Sequence, residues 1–341
     1  MLVSQSEASS PVTAARDPFA SPRAMLDALV SVGYITDLRT ATIVWAAGRK
    51  NKPILQEGPA GAGKTQLALS LAAATGMQIL RLQCYQGIEE KKAVGEFDFA
   101  LQQLYANTRR DTGVEISIAE LRETTFSDAF FRPGPLVQAL KSPDRVILLI
   151  DEIDKVPHAF EAMFLEFLGE WKMDVLELGT VEAVTIPYVI ITSNHERELG
   201  YPLLRRCIYL PVHHPTPIQH ARIVARKAPS LSPEAHRFLA GLGIALQQKR
   251  VTMTKPPSIS EMNALAEFME LMGWDEIRPE DADLVLPYLA KTEADVKKFS
   301  SSRDAFAVAI GEARAASEEV SLEDLLQVEQ AIASGGNDDD K

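Results

Sequence analysis

Eight residues constrain this chain more than any others: Gly58-Pro59-Ala60-Gly61-Ala62-Gly63-Lys64-Thr65. They match the pattern G-x-x-x-x-G-K-[ST], and they stand where that pattern has physical meaning. Pro53 to Gln56 reads as a short strand before them, and Lys64 to about Thr75 as a helix after them, stopped by Gly76. Glycines let backbone N–H groups curl around phosphate oxygens. The helix N-terminus adds unpaired donors and the positive end of a dipole. Lys64 then supplies a point charge for β and γ phosphates, and Thr65 a hydroxyl for Mg²⁺. With Gln66, next on the helix, these are the expected nucleotide-binding residues.

The same alternation continues downstream. Gln78 to Gln83, Val146 to Ile150, Tyr188 to Thr192 and Ile208 to Pro211 read as strands. Pro157 to Glu170 reads as a helix, and Val175 to Val184 as a hairpin around Gly179. Upstream, one helix begins near Ser21 and stops at Gly33, and a second runs from about Asp37 to Arg49. Strands alternating with helices imply an α/β fold, a parallel sheet flanked by helices. Tyr85 to Pro143 is too long for a simple connection, so an inserted element of short helical pieces is expected at about 85–143. After Pro215 the strands stop. Ile218 to Ala333 reads as helices broken at Pro229, at Lys255-Pro256-Pro257 and at Pro279. The expected domains are therefore a leader over 1–22, disordered for its Ser, Ala and Pro content; an α/β unit over 23–214; an all-helical lid over 215–333; and a disordered acidic tail over 334–341.

Composition removes several function classes. The net charge is −12, which argues against broad binding to nucleic acid or to anionic membranes. Residues 311–341 alone hold nine acids and two bases, a solvated end or a docking tail for a basic partner. No stretch approaches the roughly 18 apolar residues of a membrane span, and the N-terminus has no apolar core of a secretory signal. Two cysteines, Cys84 and Cys207, fit a reducing compartment, so a cytoplasmic location is expected. Both read as small buried hydrophobes. His213, His214 and His220 lack a metal-ligand spacing.

The second chemical signal is Asp151-Glu152, directly after the apolar strand and 86 residues beyond Thr65. A strand ending in acids is commonplace, but downstream of the Gly-rich turn it gives each carboxylate a task. Asp151 would hold Mg²⁺ through water, and Glu152 would orient or deprotonate the attacking water. Asn194 ends the next strand. It reads either as an Asx turn or as a ligand of the lytic water, since ligands of open α/β sheets sit beyond the strand C-terminal ends. Arg205 and Arg206 are surface charges or, in a ring of subunits, an arginine finger for a neighbour's γ-phosphate. Tyr34 and Ile35 either line an adenine pocket or pack in the core.

These features, in this order, resemble the AAA+ ATPases. Phe131-Arg132-Pro133-Gly134-Pro135-Leu136 and the hairpin segment Leu176-Glu177-Leu178-Gly179-Thr180 are similar to the MoxR family. Leu82 to Ile88 and Thr192 to Leu199 look most like its CoxD-like branch. The resemblance covers roughly residues 31–273. It implies a P-loop AAA+ fold and an ATP-driven, Mg²⁺-dependent ring, usually a hexamer, that acts as a chaperone or remodeller. It also implies a von Willebrand A-domain partner and a client enzyme whose metal centre is being matured; Rubisco-activase-like and gas-vesicle-type remodelling are alternatives within the family. On its pattern Lys64 and Thr65 bind phosphate and metal, Asp151 binds metal, Glu152 drives hydrolysis, Asn194 senses the γ-phosphate, and Arg206 is the finger with Arg205 in reserve. One departure stands out. Many relatives carry Ser-Pro-Arg in the lid, where this chain has Lys255-Pro256-Pro257-Ser258-Ile259-Ser260-Glu261. Either Lys255 substitutes for the arginine, or this stretch is only a helix start with Ser258 capping toward Glu261. A nucleotide-gated binding module with little hydrolysis is the competing class, and a DNA-processing AAA+ protein fits the acidic balance poorly.

Overall fold

A computed structural model describes residues 17–111, 117–248 and 250–321. The tail over 334–341 and most of the leader lie outside them. Nine strands occur among the described residues: β1 (Ile54–Glu57), β2 (Ile79–Gln83), β3 (Gly95–Phe97), β4 (Phe131–Pro133), β5 (Ile147–Asp151), β6 (Lys172–Val175), β7 (Gly179–Glu182), β8 (Tyr188–Ser193) and β9 (Ile208–Pro211). Five of them form one parallel sheet in the order β2-β5-β8-β1-β9. The strand after the Gly-rich turn therefore crosses to one edge, and the following ones fill back toward β1.

Parallel strands covered on both faces should be apolar throughout, and β5 and β8 are buried along their whole length. Ile54, Ile147, Leu149 and Ile190 face Leu67 and Leu71 of the helix Lys64–Thr75, with Met25, Leu29, Ala41 and Val44 of the first two helices behind them. Leu55, Leu148, Ile150 and Ile191 face the other way, onto Leu136 and Leu140 and onto Phe164 and Phe167 of the helix His158–Glu170. Fully burying one such side chain stabilises by about 1.5–3 kcal/mol, so both sheet faces are held by apolar burial.

The hairpin read around Gly179 is present as β6 and β7, antiparallel, with Gly179 at φ +86°. Two local readings need correction. The leader does not run to residue 22: Ser21 caps the helix Pro22–Ser31, the Trp45 indole donates to the Phe19 carbonyl at 2.9 Å, and the Phe19 ring lies 6.1 Å from that of Tyr188. Within 85–143 the chain makes more than helical pieces. β3 and β4 pair antiparallel around the helices Phe99–Asp111 and Ile118–Thr125, while the helix Pro135–Lys141 packs on β2 and β5 as part of the sheet layer.

After Pro211 the described chain is helical, with α-helices at Pro217–Lys227, Pro233–Gln247, Ile259–Met272, Ala282–Leu289, Glu293–Ser300 and Arg303–Ser317. Their buried residues form a core of their own, from Ala221 to Val320. Met262, Leu265, Ala266 and Met269 point into it as expected, whereas Met272 is exposed. Among the described residues no helix is long and apolar enough to cross a membrane.

Candidate active site

The sheet register brings the candidate residues together. β1, β8, β5 and β2 run in parallel, so their C-terminal ends share one edge, with Glu57 opposite Ser193 and Gln83 opposite Asp151. The turn after β1 uses Gly61 and Gly63 at φ +77° and +85°, a left-handed region that a side chain disfavours. Gly63 is the N-cap of the helix that begins at Lys64. A Cβ on Gly58 would lie 1.9 Å from the Val212 carbonyl oxygen, so the backbone there is flush against the end of β9.

Lys64 is buried and its ammonium is fully engaged. Nζ donates to the carbonyls of Gly58 and Pro59 at 2.8 Å each and to Asn194 Oδ1 at 2.7 Å. Burial pulls its pKa below the ordinary lysine value, against the opposing pull of Asp154, Asp151 and Glu152. Asn194 also points its amide at Glu152, with Nδ2 to Oε1 at 3.4 Å. It thus stands between the lysine of the turn and the carboxylate after β5. Glu152 is held at φ +59°, and its N–H donates to Thr192 Oγ1 at 2.8 Å. A non-glycine residue in that region costs about 1–3 kcal/mol, a strain that clusters at functional sites.

Thr65 Oγ1 lies 3.2 Å from Asp151 Oδ1. A hydroxyl and a carboxylate side by side are hard oxygen donors, and they fit a hard divalent cation. Asp151 also accepts from Thr192 through Oδ1 and from Arg81 through Oδ2, the latter at 2.5 Å. Gln66 is exposed and bonds Ser70 along its own helix. Pro59 and Ala60 are exposed on the turn.

The remaining candidates sit apart. Tyr34 is half-buried against the core of the first helices, and burial pushes its phenol up to about 12; Ile35 beside it is half-buried. Arg205 is exposed, with its guanidinium carbon 5.7 Å from the centre of the Tyr201 ring. Arg206 folds over Gly169 and donates to the Pro202 carbonyl at 3.0 Å. Cys84 is buried and Cys207 half-buried, and burial raises both thiols to about 12. Lys255 projects outward while its N–H donates to Asp295; the Ser258 N–H donates to Glu261 at 2.6 Å, a helix-start arrangement. Ser258 nevertheless reaches the turn: a Cβ on Gly61 would fall 2.6 Å from the Ser258 Cβ.

Four participants escape a reading of the sequence alone. Gln83 Nε2 donates to Glu152 Oε2 at 3.0 Å, so Gln83 and Asn194 address the two oxygens of the same carboxylate. Arg81, two residues earlier on β2, reaches Asp151. Asp154 accepts from the N–H groups of Asn194 and Glu196 at 3.0 and 2.9 Å and fixes the loop after β8; the third acid in Asp151-Glu152-Ile153-Asp154 was its signal. Arg197 clamps the same loop through Glu161 Oε1 at 2.5 Å and the Val156 carbonyl at 2.6 Å. A cavity of about 310 Å³ opens nearby, lined by Leu55, Glu57, His195, Glu198, Leu199, Leu204 and Tyr209 and by no residue of the Gly-rich turn.

Residues 53–207 match the family model of the AAA domain, dynein-related subfamily. No curated protein matches the sequence. Solved structures of Thermotoga maritima RuvB are similar. The Holliday junction branch migration motor is 15% identical, with a TM-score of 0.40, over 73% of this chain and 66% of that chain. Two point mutants of it give 17% and 0.41 over 72% and 65%, and 16% and 0.42 over 73% and 66%. The chain spans just under two thirds of the length of those RuvB chains. The matched stretch runs from β1 to the arginines before β9 and holds the lysine, the hydroxyl and every carboxylate gathered at the sheet edge, and the chain has the P-loop AAA+ fold.

Proposed function

We propose that this chain hydrolyses ATP, with Mg²⁺, as one subunit of a ring. The observation that carries the reading is the convergence of Lys64, Asn194 and Glu152 on one spot at the C-terminal edge of the sheet, with Thr65 and Asp151 alongside. A carboxylate on a left-handed backbone residue, with an amide at each of its oxygens, suits a hydrolase better than a module that only binds. On binding, Lys64 exchanges its carbonyl and amide partners for phosphate oxygens, and the N–H groups of the turn and of the helix start surround them. Thr65 and Asp151 would hold the metal, which when bound neutralises charge on the phosphates. Asn194 and Glu152 place and deprotonate a water on the far side of the γ-phosphate.

The ring, with a hexamer as its expected size, is supported by the exposed Arg205 and the half-buried Arg206 beside it just before β9, from which a guanidinium can be offered to a neighbouring subunit. The finer assignment rests on the sequence strings named above. It is a remodeller of the MoxR type, of CoxD-like character, acting in the cytoplasm with a von Willebrand A-domain partner on a client enzyme in metal-centre maturation.

Phosphate release and binding of a fluorescent ATP analogue, measured on the wild type and on Glu152→Gln, test the core of this reading. Glu152→Gln is expected to bind the analogue normally and to lose about 10²–10⁴-fold in turnover. Wild-type turnover in that variant would overturn the assignment of the base.

A further inference from the structure

Arg81 has no part in the reaction described above, yet it makes a close charged contact with the carboxylate expected to hold the metal. It stands two residues before Gln83, so both side chains leave the same face of β2. Its guanidinium donates to Asp151 Oδ2 at 2.5 Å and to Gln83 Oε1 at 2.6 Å. The two partners are unequal. The Asp151 side chain is 5% exposed, whereas that of Arg81 is 54% exposed. Asp151 therefore depends on protein donors for its charge, while the guanidinium regains water at once if it lets go.

The carboxylate is also nearly full. Ionised, it offers roughly four lone-pair positions. Thr192 and Thr65 address Oδ1, and Arg81 covers Oδ2 from the open side. A divalent cation that uses Asp151, directly or through its water, needs the place and the charge compensation that Arg81 now supplies. Two cationic groups on one buried carboxylate oppose each other.

We propose that Arg81 is a displaceable counter-ion of Asp151, a positioning residue that competes with the divalent metal for that carboxylate and so sets how much metal the site requires. Gln83 holds the guanidinium in register, and metal entry turns Arg81 out toward solvent. The inference rests on the nucleotide-site reading. What it adds is a residue, outside both motifs, that tunes metal demand.

The test uses the full chain with ADP and Mn²⁺. Bound metal is followed by the loss of the free-Mn²⁺ paramagnetic resonance signal, and nucleotide by a fluorescent ADP analogue across a metal titration. Arg81→Met is expected to lower the half-saturating Mn²⁺ by about fivefold or more, the scale of coupling between ligands that exclude each other. Arg81→Lys, which keeps a cation on the same stem, is expected to restore a requirement close to wild type. The Arg81→Met effect should persist at about 0.5 M salt, where the long-range field of an exposed charge is screened. Arg81→Gln serves as a second neutral variant if the methionine variant folds poorly. An unchanged or higher metal requirement in the neutral variants, with nucleotide binding intact, overturns the competition and leaves the nucleotide site standing. An effect that vanishes in salt overturns it too, because a distant field then accounts for the change. Failure of the wild type to bind nucleotide with any metal sinks the site reading and this inference together.

Discussion

Lys64 Nζ donates to Asn194 Oδ1 at 2.7 Å across 130 residues of sequence, and the same amide turns its nitrogen toward Glu152. One side chain therefore contacts both the cation of the phosphate turn and the carboxylate expected to activate water. Asn194→Ala should weaken binding of a fluorescent nucleotide little, because Lys64 gives up that amide to phosphate oxygens on binding in any case, and should lower kcat by roughly 10²-fold. A parallel loss in affinity and turnover would place Asn194 with the binding residues instead.

Gln83 and Asn194 hold opposite oxygens of Glu152. Removing one grip lets the carboxylate rotate away from its working position, a displacement of the kind that costs up to about 10²-fold. Gln83→Leu should reduce kcat by about tenfold at unchanged nucleotide affinity, read from steady-state phosphate release beside equilibrium binding.

The two arginines before β9 differ in freedom. Arg206 lies over Gly169 and bonds Pro202, and Arg205 is exposed above Tyr201. If either acts on a neighbour, its alanine variant should lose about 10³-fold or more in kcat and recover part of it when mixed with Glu152→Gln subunits, which still present the missing guanidinium. We expect Arg206→Ala to behave this way. Recovery with Arg205→Ala alone would exchange their roles, and no recovery with either would remove the finger.

Gly61 and Ser258 meet between the turn and the helical region. A methyl on Gly61 falls 2.6 Å from the Ser258 Cβ, at a φ of +77°. Gly61→Ala should cost about 1–2 kcal/mol from the backbone alone, more from the contact, and should weaken nucleotide binding. Gly61→Ala with Ser258→Gly should regain the contact part but not the backbone part, visible as coupling in a thermal-unfolding cycle.

His220 is buried in the helical core with Nε2 unpartnered, and burial lowers its pKa from 6.5 to about 4. The unfolded imidazole takes its proton near pH 6.5 and the folded one only near 4, so the unfolded state binds more protons in between. Stability is whole above that window and falls as pH drops through it, by about 3 kcal/mol in full. Denaturant titrations of the wild type and His220→Leu at about pH 7 and pH 5 should show a smaller loss in the variant.

Much of this was legible before the fold was known. Lys64, Asp151 and Asn194 each follow an apolar strand, and parallel strands buried on both faces announce themselves by composition, as β5 and β8 do. The turn glycines declare their backbone directly. β3 and β4 were not legible, because three residues leave no alternation to read. The helix Pro135–Lys141 looked like part of an insert because the long excursion before it hides its attachment to the sheet. Arg81 and Gln83 were invisible for another reason. A sequence lists strands without giving their order, and only the β2–β5 register sets Gln83 beside Asp151, 68 residues away. Phe19 escaped since one aromatic in a Ser- and Ala-rich stretch carries no period, yet it finds Tyr188.

Strand β9 begins two residues after Arg206, and the chain leaving it lies against Gly58, with the Val212 N–H bonded to the Glu57 carbonyl at 2.8 Å. Four extended residues measure about 13 Å and scarcely compress. In a ring of the kind proposed above, this strand would be the stiff link between the arginines offered to one nucleotide and the turn that holds the next. Softening it should then leave each subunit's own site intact while loosening the tie between neighbours.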